Sequence, residues 1–537
     1  MSSLQIYQQA DFTGGLNFRA DQFQLADNES PDMLNVEIDP RGGIFSRGGY
    51  ERINTTAVSG TWAPKQLHWF SGATPRVMLS NSTKVLHSTG GNFTVLQSAV
   101  STDVAISNTE GACFANWGDE LYIATGRGAT TSYRWKTTDT YATAIDVLTT
   151  STYNNNYNSP GSNRFPLANH LTVHANKMFA ADVSISGTSY PNRVMWSHED
   201  SPRDWAADDY IDINVGGTGI TGMAVVAGSL VIFKPRAIFV LLGYDSASFQ
   251  LVQLSGHLGA LSHRAMVQAD TGVYFFSNPE GLFFYDGSVI QDIFEPIRPT
   301  VDLGQFNTTA KDAITLSWIN NRLWVSAPYD KETTVTDSKV NFVFDPSIRG
   351  GTGAWTMFQT TDGYGLISGT DFTDASDVNH FYMIHPSLPR VVAVDKYSLD
   401  NDNLAGTTAG FTSYYRTKWF DGGSYMQKKM FRRPEFVVKE PSLQASINVK
   451  VYHDYDDGIN NEKRNYDLTI TPPDAGLIWG TDLWGDTWGS GLSTASVVTG
   501  KNLGLARSVQ MRLTGPSGQS WGVNSIGYKF QPRRVKA

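Results

Sequence analysis

The sequence has a single cysteine, Cys113, among 537 residues. One thiol excludes an intramolecular disulfide framework and any zinc site built on several cysteines. With Phe114 and Ala115 beside it, Cys113 reads as a small buried apolar side chain. Charge is scarce too: Asp, Glu, Lys and Arg make up 17% of the chain, and the formal net charge is −9. A chain of this sign lacks the basic face that grips a phosphate backbone, although it can stand beside DNA without binding it. No stretch reaches the ~18 apolar residues of a spanning helix, so no membrane insertion is expected. The opening MSSLQIYQQADF has neither a basic n-region nor a long apolar run. No secretory signal is read there, and synthesis in a cytoplasm is expected.

Glycine and aromatics are plentiful: 50 Gly, 28 Phe, 23 Tyr and 14 Trp, with 40% of residues apolar. That is ample material for a large core, and its bias away from helix formers predicts an all-β chain. Seven short apolar runs recur along the middle of the sequence: Val77–Leu79, Leu121–Ala124, Met178–Ala181, Leu230–Phe233, Val273–Phe276, Leu323–Val325 and Phe381–Ile384. Several follow turn dipeptides such as Gly118-Asp119, Asn176-Lys177, Gly228-Ser229 and Asn320-Asn321. Each is followed by a partner run, at 84–88, 132–136, 193–198, 237–243, 281–287, 340–346 and 390–396. Seven hairpins at a steady interval, each with room for two more strands, predict a β-propeller of six or seven blades. A string of β-sandwiches would not need so regular a beat.

The flanks differ from this middle. Residues 1–60 read as an extended N-terminal arm that either packs on neighbouring molecules or packs on the propeller and closes it. Ser30-Pro31 suits an N-cap and first helical position, which predicts one helical turn. Ile38 and Ile44, flanking Asp39-Pro40-Arg41-Gly42-Gly43, predict a hairpin. The propeller is assigned to 61–404, with its boundary in the polar Asp400-Asn401-Asp402-Asn403 stretch. Residues 405–537 read as a C-terminal β-sandwich, because Ile447-Val449-Val451 and Val509-Met511-Leu513 alternate as one buried face requires.

Groups that could carry chemistry are few. No Gly-x-Ser-x-Gly elbow in a sensible context, phosphate loop or His-Glu-x-x-His occurs, so the chain reads as no enzyme and no cofactor is expected. His198-Glu199-Asp200 is followed by Ser201-Pro202-Arg203-Asp204-Trp205 and reads as a structured turn. Asp454, Asp456 and Asp457 before Gly458 resemble half of a calcium loop without its bidentate Glu, and read as a solvated hairpin tip. Trp479, Trp484 and Trp488, set among glycines, suit sugar stacking or, better, core or interface packing. The basic run Lys428, Lys429, Arg432 and Arg433 either meets an acidic partner or solvates an edge strand. The residues assigned to partner contacts are Phe12 and Leu16 of the arm, these four basic residues, and Trp484.

Three words near the start, "GGLN", "DNESPDMLN" and "PRGGI…R.GY", have a familiar form. So do the blocks NKMFAADVSISGTSYPNRVMWSHEDSPRDW, GITGMAVVAGSLVIFKPRAIFVLLG and GVYFFSNPEGLFFYDG. Together, over roughly 10–60 and 170–300, the chain resembles the β-propeller tail nozzle, or tail tubular protein B, family of short-tailed bacteriophages. The resemblance implies a structural virion protein, made in the host cytoplasm. Six copies would form a ring at the distal end of the tail, docked on the adaptor and near the tail fibres. DNA would pass through the channel without specific binding. It brings no catalytic residues. Two other functions are compatible with the residues: a receptor-binding or fibre-anchoring tail protein that recognises host surface glycan, and a propeller depolymerase.

Overall fold

The structure is a computed structural model that describes residues 3–19, 24–58, 60–148, 164–217, 219–245, 247–396, 399–439, 446–455, 466–470, 495–499 and 501–533. It is all-β, with helix confined to a few single turns such as His263–Ala265 and Pro299–Asp302. Among the described residues no helix is long and apolar enough to cross a membrane.

Seven sheets follow one another along the chain, over 64–95, 113–147, 167–212, 222–255, 266–292, 315–358 and 367–396; five have four antiparallel strands, the second adds Arg164–Phe165 in parallel beyond its fourth strand, and 367–396 supplies three strands of the seventh. The seven hairpins read from the sequence are the second and third strands of these sheets. Their near-continuous apolar character follows from burial on both faces, as in Ser229–Lys234 and Gly272–Ser277. The turns are those the dipeptides require: Gly118, Asn176, Gly228, Asn320 and Asn321 all adopt positive φ.

Apolar clusters join each sheet to the next. Phe179 and Trp196 of the third meet Ile232 and Phe239 of the fourth. Val77 and Leu79 of the first meet Tyr382 and Ile384 of the seventh, which closes the series on itself in a propeller-like ring. The seventh sheet takes its fourth strand from the N-terminal segment. Gly49–Arg52 pairs antiparallel with Val391–Lys396, so the two ends of the ring are laced by hydrogen bonds.

Apart from two small pairs, Gly15–Leu16 with Glu29–Ser30 and Gln97–Ala99 with Thr102–Asp103, most of the remaining strands form two sheets packed face to face. One is built on the long strand Gly522–Pro532, flanked by Glu435–Lys439, Lys429–Phe431 and Gln5–Gln9. The other runs Asp32–Leu34, Tyr414–Arg416, Val509–Thr514, Ile447–His453 and Tyr466–Ile470. Val449, Val451, Met511, Leu513, Ile526, Tyr528 and Phe530 fill the space between them, in one cluster with apolar residues of the fifth and sixth sheets of the ring. The alternation expected for 447–451 and 509–513 is therefore the inward face of one sheet.

Two sequence expectations change. The N-terminal segment is no separate arm: Gly15–Leu16 and Glu29–Ser30 pair with each other, and its other strands belong to both sandwich sheets and to the seventh ring sheet. Val36–Ile38 and Ile44–Ser46 do pair as a hairpin, with Ile38 opposite Ile44. Ser30-Pro31 starts no helix. Ser30 lies in a strand and its hydroxyl donates 2.7 Å to the carbonyl of Arg416, so a partner distant in sequence replaces the local cap. The polar boundary stretch 400–403 is held within the fold. Asp402 is fully buried against Arg47, and Arg322 likewise bridges Glu37 of the N-terminal hairpin and Asp395 of the seventh sheet.

Candidate functional site

The first strands of the seven sheets surround a central cavity of about 330 Å³. Every sheet contributes to its wall, among them His68, Cys113, Leu171, Met223, Arg264, Leu316 and Ser368. Cys113 is buried, as its neighbours suggested, but it is not surrounded by hydrocarbon alone. Its Sγ accepts the Leu171 amide at 3.3 Å and lies 3.8 Å from Nε2 of His263, which stacks on His170 at 5.1 Å between ring centres. Burial opposes charge on both partners. Attraction between thiolate and imidazolium outweighs it, drawing Cys113 below and His263 above their ordinary values, with Glu110 adding to the latter. The pair spans 150 residues of sequence, so no local motif could announce it. Arg264 donates from Nη1 to the Asp312 carbonyl at 2.9 Å. Among the described residues no group of three His, Cys, Asp or Glu side chains is placed to hold a metal ion.

The other sequence candidates fall elsewhere. His198 to Trp205 form a closed turn: the His198 amide donates to Asp204 O at 2.8 Å, Ser201 Oγ bonds the Asp204 carboxylate, and Trp205 Nε1 donates to Pro202 O. Asp454, at φ 53°, accepts the Arg507 amide and so caps a turn. Asp456, Asp457, Trp479, Trp484 and Trp488 lie outside the described residues.

The proposed contact residues divide. Phe12 and Leu16 are fully buried within the chain's own core, Phe12 edge-on to Tyr415 at 5.3 Å. They offer nothing to a partner, because burying them in the sandwich already removes their apolar area from water. Lys429 is buried as well. Its ammonium donates to the carbonyls of Ser424, Gln427 and Arg507, so it fastens a loop rather than facing outward. Lys428, Arg432 and Arg433 are exposed.

These three border an apolar strip that single-residue reading did not find. On the sheet built around Gly522–Pro532, Met430 lies opposite both Leu505 and Gln531, and Ile6 lies opposite Lys529. Leu4, Ile6 and Leu505 are exposed there, as are Tyr425 and Met426 in the preceding loop, the last at 74%. Inward neighbours on the same strands, such as Phe431 and Phe530, are buried, so the alternation that builds the sandwich also creates this outer face. Lys529 is paired with Glu435, but apolar side chains bordered by Lys428, Arg432 and Arg433 suit an acidic protein surface with its own apolar centre.

No protein-family model and no curated protein matches the sequence. Similar solved structures include the extracellular domain of BT4673 from B. thetaiotaomicron, at 9% identity and a TM-score of 0.39 over 70% of this chain and 42% of that one. BamB from Moraxella catarrhalis is similar at 11% identity and a TM-score of 0.33, over 70% of this chain and 94% of that one. The computationally designed Ika8 protein is similar at 12% identity and a TM-score of 0.34, over 64% of this chain and 99% of that one. The chain thus spans less than half the length of the first of these.

Proposed function

We propose that this chain is a structural protein of a bacteriophage virion: the distal nozzle of a short tail, around the DNA exit channel and docked on the tail adaptor. The ring of seven sheets is then a seven-bladed β-propeller, and the sandwich beside it is the interface domain. The observation that carries this reading is where the words of the resemblance fall. Gly15, in "GGLN", sits at φ 68°, where an added Cβ would lie 2.7 Å from the Trp355 carbonyl of the sixth sheet. Asn35, in "DNESPDMLN", adopts φ 54° while its side chain bonds Thr412 O, Arg47 Nε and the Gln359 amide. Gly42, in "PRGGI", sits at φ 109° against Ala10 O. These words lie where the N-terminal segment packs against the ring and the sandwich, which supports reading the resemblance to tail-nozzle sequences as one of architecture.

The basic-bordered apolar face supports assembly with acidic partners, including other copies of a chain that carries −9. Six such copies around a channel would give DNA little to adhere to, since no counterions are released by an acidic wall. Gold-labelled antibody against the chain, imaged on virions from the source lysate, tests the reading. Label on the tail axis beneath the head is expected. Label at fibre tips would replace the nozzle with a receptor-binding or fibre-anchoring tail protein, a second reading favoured by the aromatic cleft described next. Unlabelled particles would end both.

A further inference from the structure

A cleft of about 900 Å³ lies between the fifth and sixth sheets, bounded on one side by Gly14, Leu16 and Glu29 of the N-terminal segment. Its size falls within the range of small-molecule sites. Three rings form a continuous shelf along it. Phe284 meets Tyr274 at 4.5 Å between centres, and Tyr274 stacks on Trp318 at 5.5 Å with planes 19° apart. Phe284 and Trp318 are partly exposed, although each belongs to a strand whose neighbours are buried.

The polar groups on the cleft wall are of two kinds. Asp292 is paired with Arg298, and Glu295 with Arg19, so both carboxylates are committed. The side chains of Asp270, Gln291 and Asn321 make no hydrogen bond within the described chain, and all three residues are exposed. They come from the turn before the second strand of the fifth sheet, from that sheet's last strand, and from the first turn of the sixth. Three uncommitted groups, one a carboxylate and two amides, thus stand around an aromatic shelf.

We propose that this cleft binds a short, uncharged oligosaccharide. A pyranose presents an apolar C–H face that can cover Trp318 and Phe284, and a rim of hydroxyls that carboxylate and amide side chains can bond. A purely apolar ligand would leave Asp270, Gln291 and Asn321 without hydrogen-bond partners. An acidic sugar would place its charge beside Glu29 and Asp270, the two carboxylates of the wall that no arginine pairs, with Arg349 the one Arg or Lys among the described lining residues. The site does not depend on the nozzle reading: a virion nozzle, a receptor-binding protein or neither could carry it.

The test applies the purified full chain to a printed array of defined bacterial surface oligosaccharides: neutral, acidic, and phosphocholine-bearing. Signal on neutral glycans is expected. It should fall about tenfold or more in Gln291→Ala/Asn321→Gly, which removes both amides at exposed positions while glycine keeps the positive φ of the turn at 321, since loss of two hydrogen bonds is enough for that. Trp318→Ala, with its melting temperature measured alongside, should abolish it. No signal on any glycan, signal confined to acidic or phosphocholine-bearing glycans, or neutral-glycan signal unchanged in Gln291→Ala/Asn321→Gly would overturn the proposal. Gold labelling of particles decides the nozzle reading separately.

Discussion

Arg47 and Asp402 meet through two parallel N–H···O bonds of 2.9 Å with both side chains sealed from solvent, although 355 residues separate them. The guanidinium lies between the rings of Tyr50 and Phe411, 3.8 Å from each centre, and donates also to Gly48 O and Gln359 O. Asp402 in turn accepts the amides of Tyr50 and Thr361. One ion pair therefore ties the hairpin, the seventh sheet and the start of the sandwich.

Arg47→Met should destabilise the chain by about 3–5 kcal/mol, because it leaves Asp402 charged, buried and short of its main partner. Arg47→Met/Asp402→Asn should recover part of that, the remainder being the weakened bonds to Tyr50 and Thr361. Urea unfolding of the three proteins measures both numbers. A loss below about 1 kcal/mol in Arg47→Met would show that water reaches the pair.

Adjacent lysines should behave differently. Lys429→Met leaves three loop carbonyls without a donor and should cost about 1–3 kcal/mol. Lys428→Met removes an exposed charge and should change stability by no more than about 0.5 kcal/mol. Equal effects in parallel thermal melts would contradict the burial assigned to Lys429.

Buried histidines give stability a pH dependence. Burial, reinforced by the neighbouring His263, pushes His170 down to about 3, so the folded chain keeps it neutral where an unfolded chain would protonate it near 6.5. A depressed folded value contributes fully above pH 6.5 and is lost as pH falls toward 3. His87, held near 4 mainly by burial and also by Arg76, acts in the same direction. Asp371, raised by burial to about 6, and His263, raised through Cys113 against the effect of burial, act oppositely. The difference between wild type and His170→Asn isolates one site. Their stability gap should narrow by up to about 1.4 kcal/mol per pH unit between pH 6.5 and 5. A constant gap would mean that His170 is charged in the fold.

Much of the ring was legible in the sequence because its central strands are buried on both faces and read as unbroken apolar runs. Leu230-Val231-Ile232-Phe233 can hardly be anything else. The first strands were not legible. Pro64–Phe70 and Ile367–Thr373 turn polar side chains toward a central cavity, so their apolar positions follow neither period clearly. The N-terminal segment misled for a different reason. Ser30, Phe12 and Asp402 have local neighbours typical of a cap, an arm and a domain boundary, yet each is fixed by a partner hundreds of residues away. The outer apolar face escaped because its members, Ile6, Met430 and Leu505, come from three distant strands and converge only by register. The cleft between the fifth and sixth sheets escaped likewise, since Tyr274, Phe284 and Trp318 each look like an ordinary core residue in its own strand.

The lacing of Gly49–Arg52 to Val391–Lys396 also sets a timetable for synthesis. The strand that closes the ring emerges from the ribosome first and waits for about 340 further residues, roughly 20–70 s at 5–20 residues per second, before its partner exists. Throughout that interval the nascent chain carries an unpaired strand and an open sheet edge, both of which invite sticking to other chains. Any copy cut short before residue 391 can never close. Ring closure thus acts as a length check at residues 391–396: a product truncated before them keeps its adhesive edges, and only a chain translated past them can present a closed ring to whatever it assembles with.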